Sequence, residues 1–106
     1  MIRANHEGIL YDRVSILGEA PHESGVYGIY NRHTWIYVGE TGDIQARLLE
    51  HLSGENEWMA RYDPTGFQNE RCHASQRVWR QNAWIGALNP ACNKHLEKGV
   101  ILQANS

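Results

Sequence analysis

The sequence is short of most features that mark a specialised chain. Only two cysteines, Cys72 and Cys92, occur in 106 residues, and their spacing matches no zinc-type pair. Two isolated thiols read as unpaired side chains in a reducing compartment, so a cytoplasmic location is expected. No apolar run approaches the 18 or so residues of a membrane span, which excludes a transmembrane helix. No charged-then-apolar opening segment reads as a secretory signal. Repeats of about 20–50 residues and low-complexity tracts are absent, which excludes a solenoid or a fibrous chain. Charge of one sign is also lacking: 10 Lys and Arg stand against 12 Asp and Glu, a formal net of −2. Taken alone, that balance argues against a strongly nucleic-acid-binding protein.

What is present is an ordinary globular composition, 42% hydrophobic and 21% charged, at a length suited to one core. The charges are unevenly placed. Residues 1–70 hold 5 basic and 11 acidic side chains, whereas 71–106 hold Arg71, Arg77, Arg80, Lys94 and Lys98 against Glu97 alone. Such an asymmetry points to polyanion contact on one face, and an accident of small numbers has equal weight.

Val26, Tyr27, Ile29 and Tyr30, then Trp35, Ile36, Tyr37 and Val38, form two β-branched and aromatic runs around Asn31–Thr34. They predict a hairpin with a four-residue loop and both faces largely covered. Thr41-Gly42-Asp43 ends the strand and can cap a helix, whose apolar stripe is Ile44, Leu48, Leu49 and Leu52. A short helical piece within 57–62, a turn at Asp63–Gly66 and a weak third strand over Phe67–His73 follow. A second helix is expected after Ser75, ending at Asn89-Pro90, with Val78, Ile85 and Leu88 as its buried face. The organisation expected is a lead-in strand or linker over 1–24, a domain over 25–94 and a tail over 95–106. The fold class is α/β (α+β), a three-stranded antiparallel sheet flanked by helices.

Three sets of residues suggest chemistry. Tyr27, Tyr30 and Tyr37 share the hairpin, although strand tyrosines are most often packing residues. Arg47 and His51 lie four apart on the first helix, at the edge of its apolar stripe. They read either as a snorkelling arginine beside a surface histidine or as a phosphate clamp. Gln81 sits on the apolar stripe of the second helix, where a buried amide needs a partner or costs about 1–3 kcal/mol. It is either a satisfied structural glutamine or the local exception expected at a site.

Gly25-Val26-Tyr27 followed by Tyr37-Val38-Gly39 resembles the paired motif of the GIY-YIG nuclease family, with the tyrosines ten apart. A literal Gly28-Ile29-Tyr30 also occurs, but it sets the tyrosines only seven apart and misplaces Ile29 and Asn31. Arg47 falls at the family's motif arginine, and His51 at a histidine of many members. The segment from Gln81 to Asn93 is similar to the last family block, with Asn93 at its closing asparagine and Gln81 where its glutamate belongs. These elements, in order and at spacing, cover roughly residues 24–94.

The resemblance implies a small stand-alone endonuclease that hydrolyses DNA phosphodiesters with Mg²⁺ or Mn²⁺. It makes Tyr27 and Tyr37 the general-base and water-positioning residues, Arg47 the phosphate clamp, His51 a second acid/base or phosphate contact, and Asn93 a support. Arg71, Arg77, Arg80 and Lys94 would face the nucleic acid, and targeting would fall to a protein partner. Position 81 departs from the pattern, because a neutral amide oxygen is a poor anchor for a hard cation. Residues 74–89 hold no acid, and Glu40, beside Gly39, is the substitute ligand or else an exposed turn acid. Three explanations of Gln81 stand: substitution of a parental glutamate, use of a different acid, or an inactive nucleic-acid-binding module on the same fold. A metal site built from Cys72, His73, Cys92 and His95 is a weaker reading.

Overall fold

The computed structural model describes residues 8–55, 59 and 61–93. Its elements run β1 (Ile9–Leu10), α1 (Arg13–Glu19), β2 (Gly25–Tyr30), β3 (Trp35–Thr41), α2 (Ile44–Glu50), β4 (Gly66–Arg71) and α3 (Arg77–Leu88). The strands form one antiparallel sheet in the order β1-β4-β2-β3. It has four strands, one more than the three expected. The extra one, β1, pairs only Ile9 with Phe67 and Leu10 with Gly66, and two residues are too few for an alternation to show.

The segment before residue 25 also contains a helix. Asp12 caps α1 by accepting from the Ser15 N–H, yet of the apolar run Val14–Leu17 only Ile16 is buried. The hairpin turns on Asn31, whose Oδ1 accepts from the N–H groups of His33 and Thr34. Asp43 caps α2 through Ala46 N–H, as Ser, Thr, Asp and Asn do at helix starts. Beyond Glu50 the chain widens into a π-type turn, His51–Glu55, where Gly54 has φ 94°, a left-handed value that favours glycine. Asn89, also left-handed at φ 52°, ends α3 before Pro90.

The sheet separates two clusters. On the α1/α2 side Tyr27, Ile29, Ile36, Ile44, Leu48, Phe67 and Cys92 close over Ile16. On the α3 side Val26, Val38 and Trp84 pack together, with Ile85 and Leu88 at the rim. The buried face expected for α3 is therefore corrected: Val78 is 58% exposed and Trp84 takes the inward place. A register shift between Ile29 and Tyr30 leaves Ile36 unpaired on β3. Such a bulge lets consecutive residues turn to one side, so Ile36 and Tyr37 both join the α2 cluster.

Segments 94–106 and most of 56–60 lie outside the described residues. With them go Lys94, His95, Lys98, the tail and most of the helical piece expected within 57–62.

Candidate active site

Alternation along β2 decides which tyrosine meets α2. Tyr27 and Ile29 face that helix, while Val26 faces α3. Three residues after Tyr27, Tyr30 turns the opposite way and packs edge-on to Trp35, centroids 4.9 Å apart.

Tyr27 is 1% exposed, and its hydroxyl shares a 2.7 Å hydrogen bond with His51 Nε2. His51, placed at the α2 C-cap, is itself buried and not a surface histidine. Tyr37 completes a triangle of rings, with centroids 6.1 Å from Tyr27 and 5.5 Å from His51. Gly39 lies opposite Tyr27 in the ladder. A Cβ there would sit 2.5 Å from Tyr27 Oη and 2.9 Å from Tyr37 Cε2, so the rings close only over a glycine.

Arg47, one turn before His51, donates from Nη1 to Glu50 Oε1 at 2.6 Å. Its charge also reaches all three rings. Burial pushes the Tyr27 hydroxyl well above its ordinary value and raises Tyr37 too, and the neighbouring Arg47 pulls against both. Burial first, then Arg47, lowers His51 to about 4. Both phenols therefore stay protonated at neutral pH while the imidazole stays neutral. Burial thus outweighs the pull of Arg47 on both tyrosines.

Asn93, 8% exposed, holds the outer edge of β3 beside Tyr37. Its Oδ1 accepts from Val38 N–H at 2.7 Å and its Nδ2 donates to Val38 C=O at 2.9 Å. One side chain thus does for Val38 what a neighbouring strand would do.

The α3 face is built differently. Glu40 and Glu70 both pair with Val26 in the ladders, one from each flanking strand. Arg77 Nε donates to Glu40 at 2.7 Å and its Nη1 to Ser24 Oγ at 3.0 Å. Arg80 Nη2 and Trp84 Nε1 both donate to Glu70 Oε1, at 2.7 and 3.0 Å. Burial pushes the Glu70 carboxyl up, but these bonds outweigh it and hold the group below its usual range. Arg71 pairs with Glu23 at 3.3 Å on the exposed surface. Each described arginine expected to face nucleic acid is thus engaged by a carboxylate. Gln81 is half-buried on α3, three residues before Trp84 and four before Ile85.

The structure brings Tyr27, Tyr37, Arg47 and His51 together on one face and sets Asn93 on the adjoining strand edge. Gln81 lies on α3, packed on the other face, and Glu40 of β3 is bonded by Arg77 of that helix. Trp84 and Glu70 were not singled out from the sequence. Trp84 falls within the spacing of the α3 stripe, but nothing local marks Glu70 as its acceptor.

The donor set can be tested for a resident divalent cation. Among the described residues no three His, Cys, Asp or Glu side chains come together to hold a metal. Glu40, Glu50 and Glu70 are each bonded by an arginine, and Gln81 offers a neutral oxygen. A small hard cation is held by one or two carboxylates plus substrate oxygens, and at position 81 this chain would offer one an amide oxygen. Among the described residues no helix is long and apolar enough to cross a membrane.

Comparison with known proteins adds the lineage. A stretch of 41 residues, 39% of the chain, is 44% identical to UvrABC system protein C of Hydrogenobaculum sp. (strain Y04AAS1). It corresponds to 7% of that protein, so the chain spans a small part of its relative's length. The GIY-YIG N-terminal endonuclease domain of UvrC from Thermotoga maritima, solved with magnesium as its catalytic divalent cation, superposes with a TM-score of 0.63. It is 25% identical, covering 74% of this chain and 90% of that one. A point mutant of the same domain, also bound to its catalytic divalent cation, matches with the same score and identity. The model of the GIY-YIG catalytic domain matches residues 23–90, more than half of the chain, which therefore belongs to the GIY-YIG family.

Proposed function

We propose that the domain acts on DNA as a phosphodiester hydrolase, with Arg47, Tyr37, Tyr27 and His51 as its working residues. The observation that carries this reading is the closed cluster in which Tyr27 Oη meets His51 Nε2 at 2.7 Å with Tyr37 and Arg47 alongside. Arg47 grips a phosphate oxygen pair, because a guanidinium presents two parallel donors to it. Tyr37, less buried than Tyr27, orients the attacking water through its hydroxyl. A neutral imidazole takes either role in a hydrogen bond to a phenol, so His51 fixes the Tyr27 hydroxyl beside Tyr37. Asn93 fixes β3, and with it Tyr37. The related UvrC domain carries magnesium; Mg²⁺ or Mn²⁺ is the cation this chain would use if its cleavage follows that precedent.

A second reading, a non-cleaving DNA-binding module, is favoured by Gln81. Nicking of supercoiled plasmid and cutting of labelled single strands separate the two, measured in Mg²⁺ and Mn²⁺ for the chain and for Gln81→Glu. Cleavage by either form, falling about 100-fold in His51→Ala, supports the hydrolase. Binding without cleavage in both forms supports the module.

A further inference from the structure

Among the described residues the tryptophans divide by exposure. Trp35 packs against Tyr30 and Trp84 fills the α3 core, and both are buried. Trp79, on the solvent side of α3, keeps 63% of its surface exposed and belongs to neither core cluster. A ring of that size left in water gives up the burial that the other two obtain.

The surroundings of the ring select among partners. One turn away lie Ser75, Gln76, Asn82 and Ala83, all exposed and all polar or small. Beside Trp79 only Val78 extends the apolar surface. That is too little for the apolar centre by which a protein partner is held. The guanidinium carbon of Arg80 lies 5.6 Å from the Trp79 ring centroid, within cation–π range. Arg80 Nη2 is anchored on Glu70 at 2.7 Å, which keeps the cation beside the ring. From Arg71 to His95 no Asp or Glu occurs, so α3 has no carboxylate to repel a phosphate chain passing over it. An open aromatic face with an arginine beside it and neutral hydrogen-bonding groups around it suits the stacking of bases.

We propose that the outer face of α3 is a stacking site for unpaired bases of single-stranded DNA, with Trp79 as its platform. Arg71, Arg77 and Arg80 are each bonded by a carboxylate, so the affinity comes from the base faces more than from the phosphates. A duplex keeps its base faces inside the stack, so the site selects single strands. The proposal rests on the reading of DNA as what the domain acts on, but it concerns the side of the sheet opposite the Tyr27–His51 cluster and is measured without cleavage.

The test is fluorescence anisotropy of a labelled single-stranded oligothymidine, in EDTA so that no strand is cut. Trp79→Ala and Trp79→Leu are each expected to weaken binding about tenfold, whereas Trp79→Phe, which keeps a ring, stays within about threefold. The ring is exposed, so all three variants are expected to keep the urea midpoint of the unsubstituted chain. A strand of the same length with abasic sites in place of its bases needs no variant, and it is expected to bind about tenfold more weakly, as is the matching duplex. Unchanged affinity in Trp79→Ala, or equal affinity for the abasic strand or the duplex, overturns the proposal. Full retention in Trp79→Leu also overturns it, because apolar bulk without a ring would then suffice, as it does for a protein partner. Absence of cleavage with these results intact counts against the hydrolase reading alone, and cleavage without them overturns the stacking site alone.

Discussion

The two faces of the sheet handle polar groups in opposite ways. Toward α2, phenols and an imidazole are buried together and kept neutral, with Arg47 and its pair Glu50 at their edge. Toward α3, charges are retained at the half-exposed rim and cancelled pairwise, Arg77 on Glu40 and Arg80 on Glu70, around a tryptophan core. Desolvation decides the difference. A fully buried group is cheaper neutral, whereas at a rim open to water an ion pair survives. The first face thus keeps its polar groups neutral, and the second is a seam of ion pairs on the helix that carries Gln81.

The comparison can be broken most severely at Trp84. Its replacement by alanine empties the α3 core, and a loss of about 3–5 kcal/mol is expected in urea unfolding. If the faces are separate units, the pH response of stability assigned below to His51 persists in this variant. A smaller effect follows from acid. His51 titrates at about 4 when folded and near 6.5 when unfolded. The unfolded chain takes up the proton first, so stability is complete above pH 6.5 and falls as pH drops toward 4. The shift corresponds to about 3 kcal/mol at most. Thermal melts across that range check it, and His51→Phe is expected to flatten the slope. The smallest effect belongs to Glu40→Gln. Its pair with Arg77 is 26% and 30% exposed, so solvent screening limits the loss to less than about 1 kcal/mol in the same unfolding assay. A larger loss would show that the rim pairs carry the α3 face.

Much of the fold was legible because its signals are local. The loop Asn31–Thr34, the Asp43 cap and the Asn89-Pro90 stop each act within four residues, and the structure bears out all three. The α2 stripe was equally plain, with Ile44 and Leu48 fully buried. Before residue 25 only a lead-in strand or linker was expected; the place of β1 in the sheet and the helix α1 were not legible, since two paired residues and one buried isoleucine leave no periodic trace. The choice between Val78 and Trp84 was also hidden. Val78 lies in the first turn of α3 and stays in solvent, while Trp84 lies over the sheet.

By itself the sequence determined the order and spacing of Tyr27, Tyr37, Arg47, His51 and Asn93, and that position 81 carries no charge. Tertiary structure decided the state of those groups. The partner that buries His51 is 24 residues away, and the arginine that occupies Glu40 is 37 away. Protonation and pairing follow from burial and from contacts between distant segments, and chain spacing alone encodes neither.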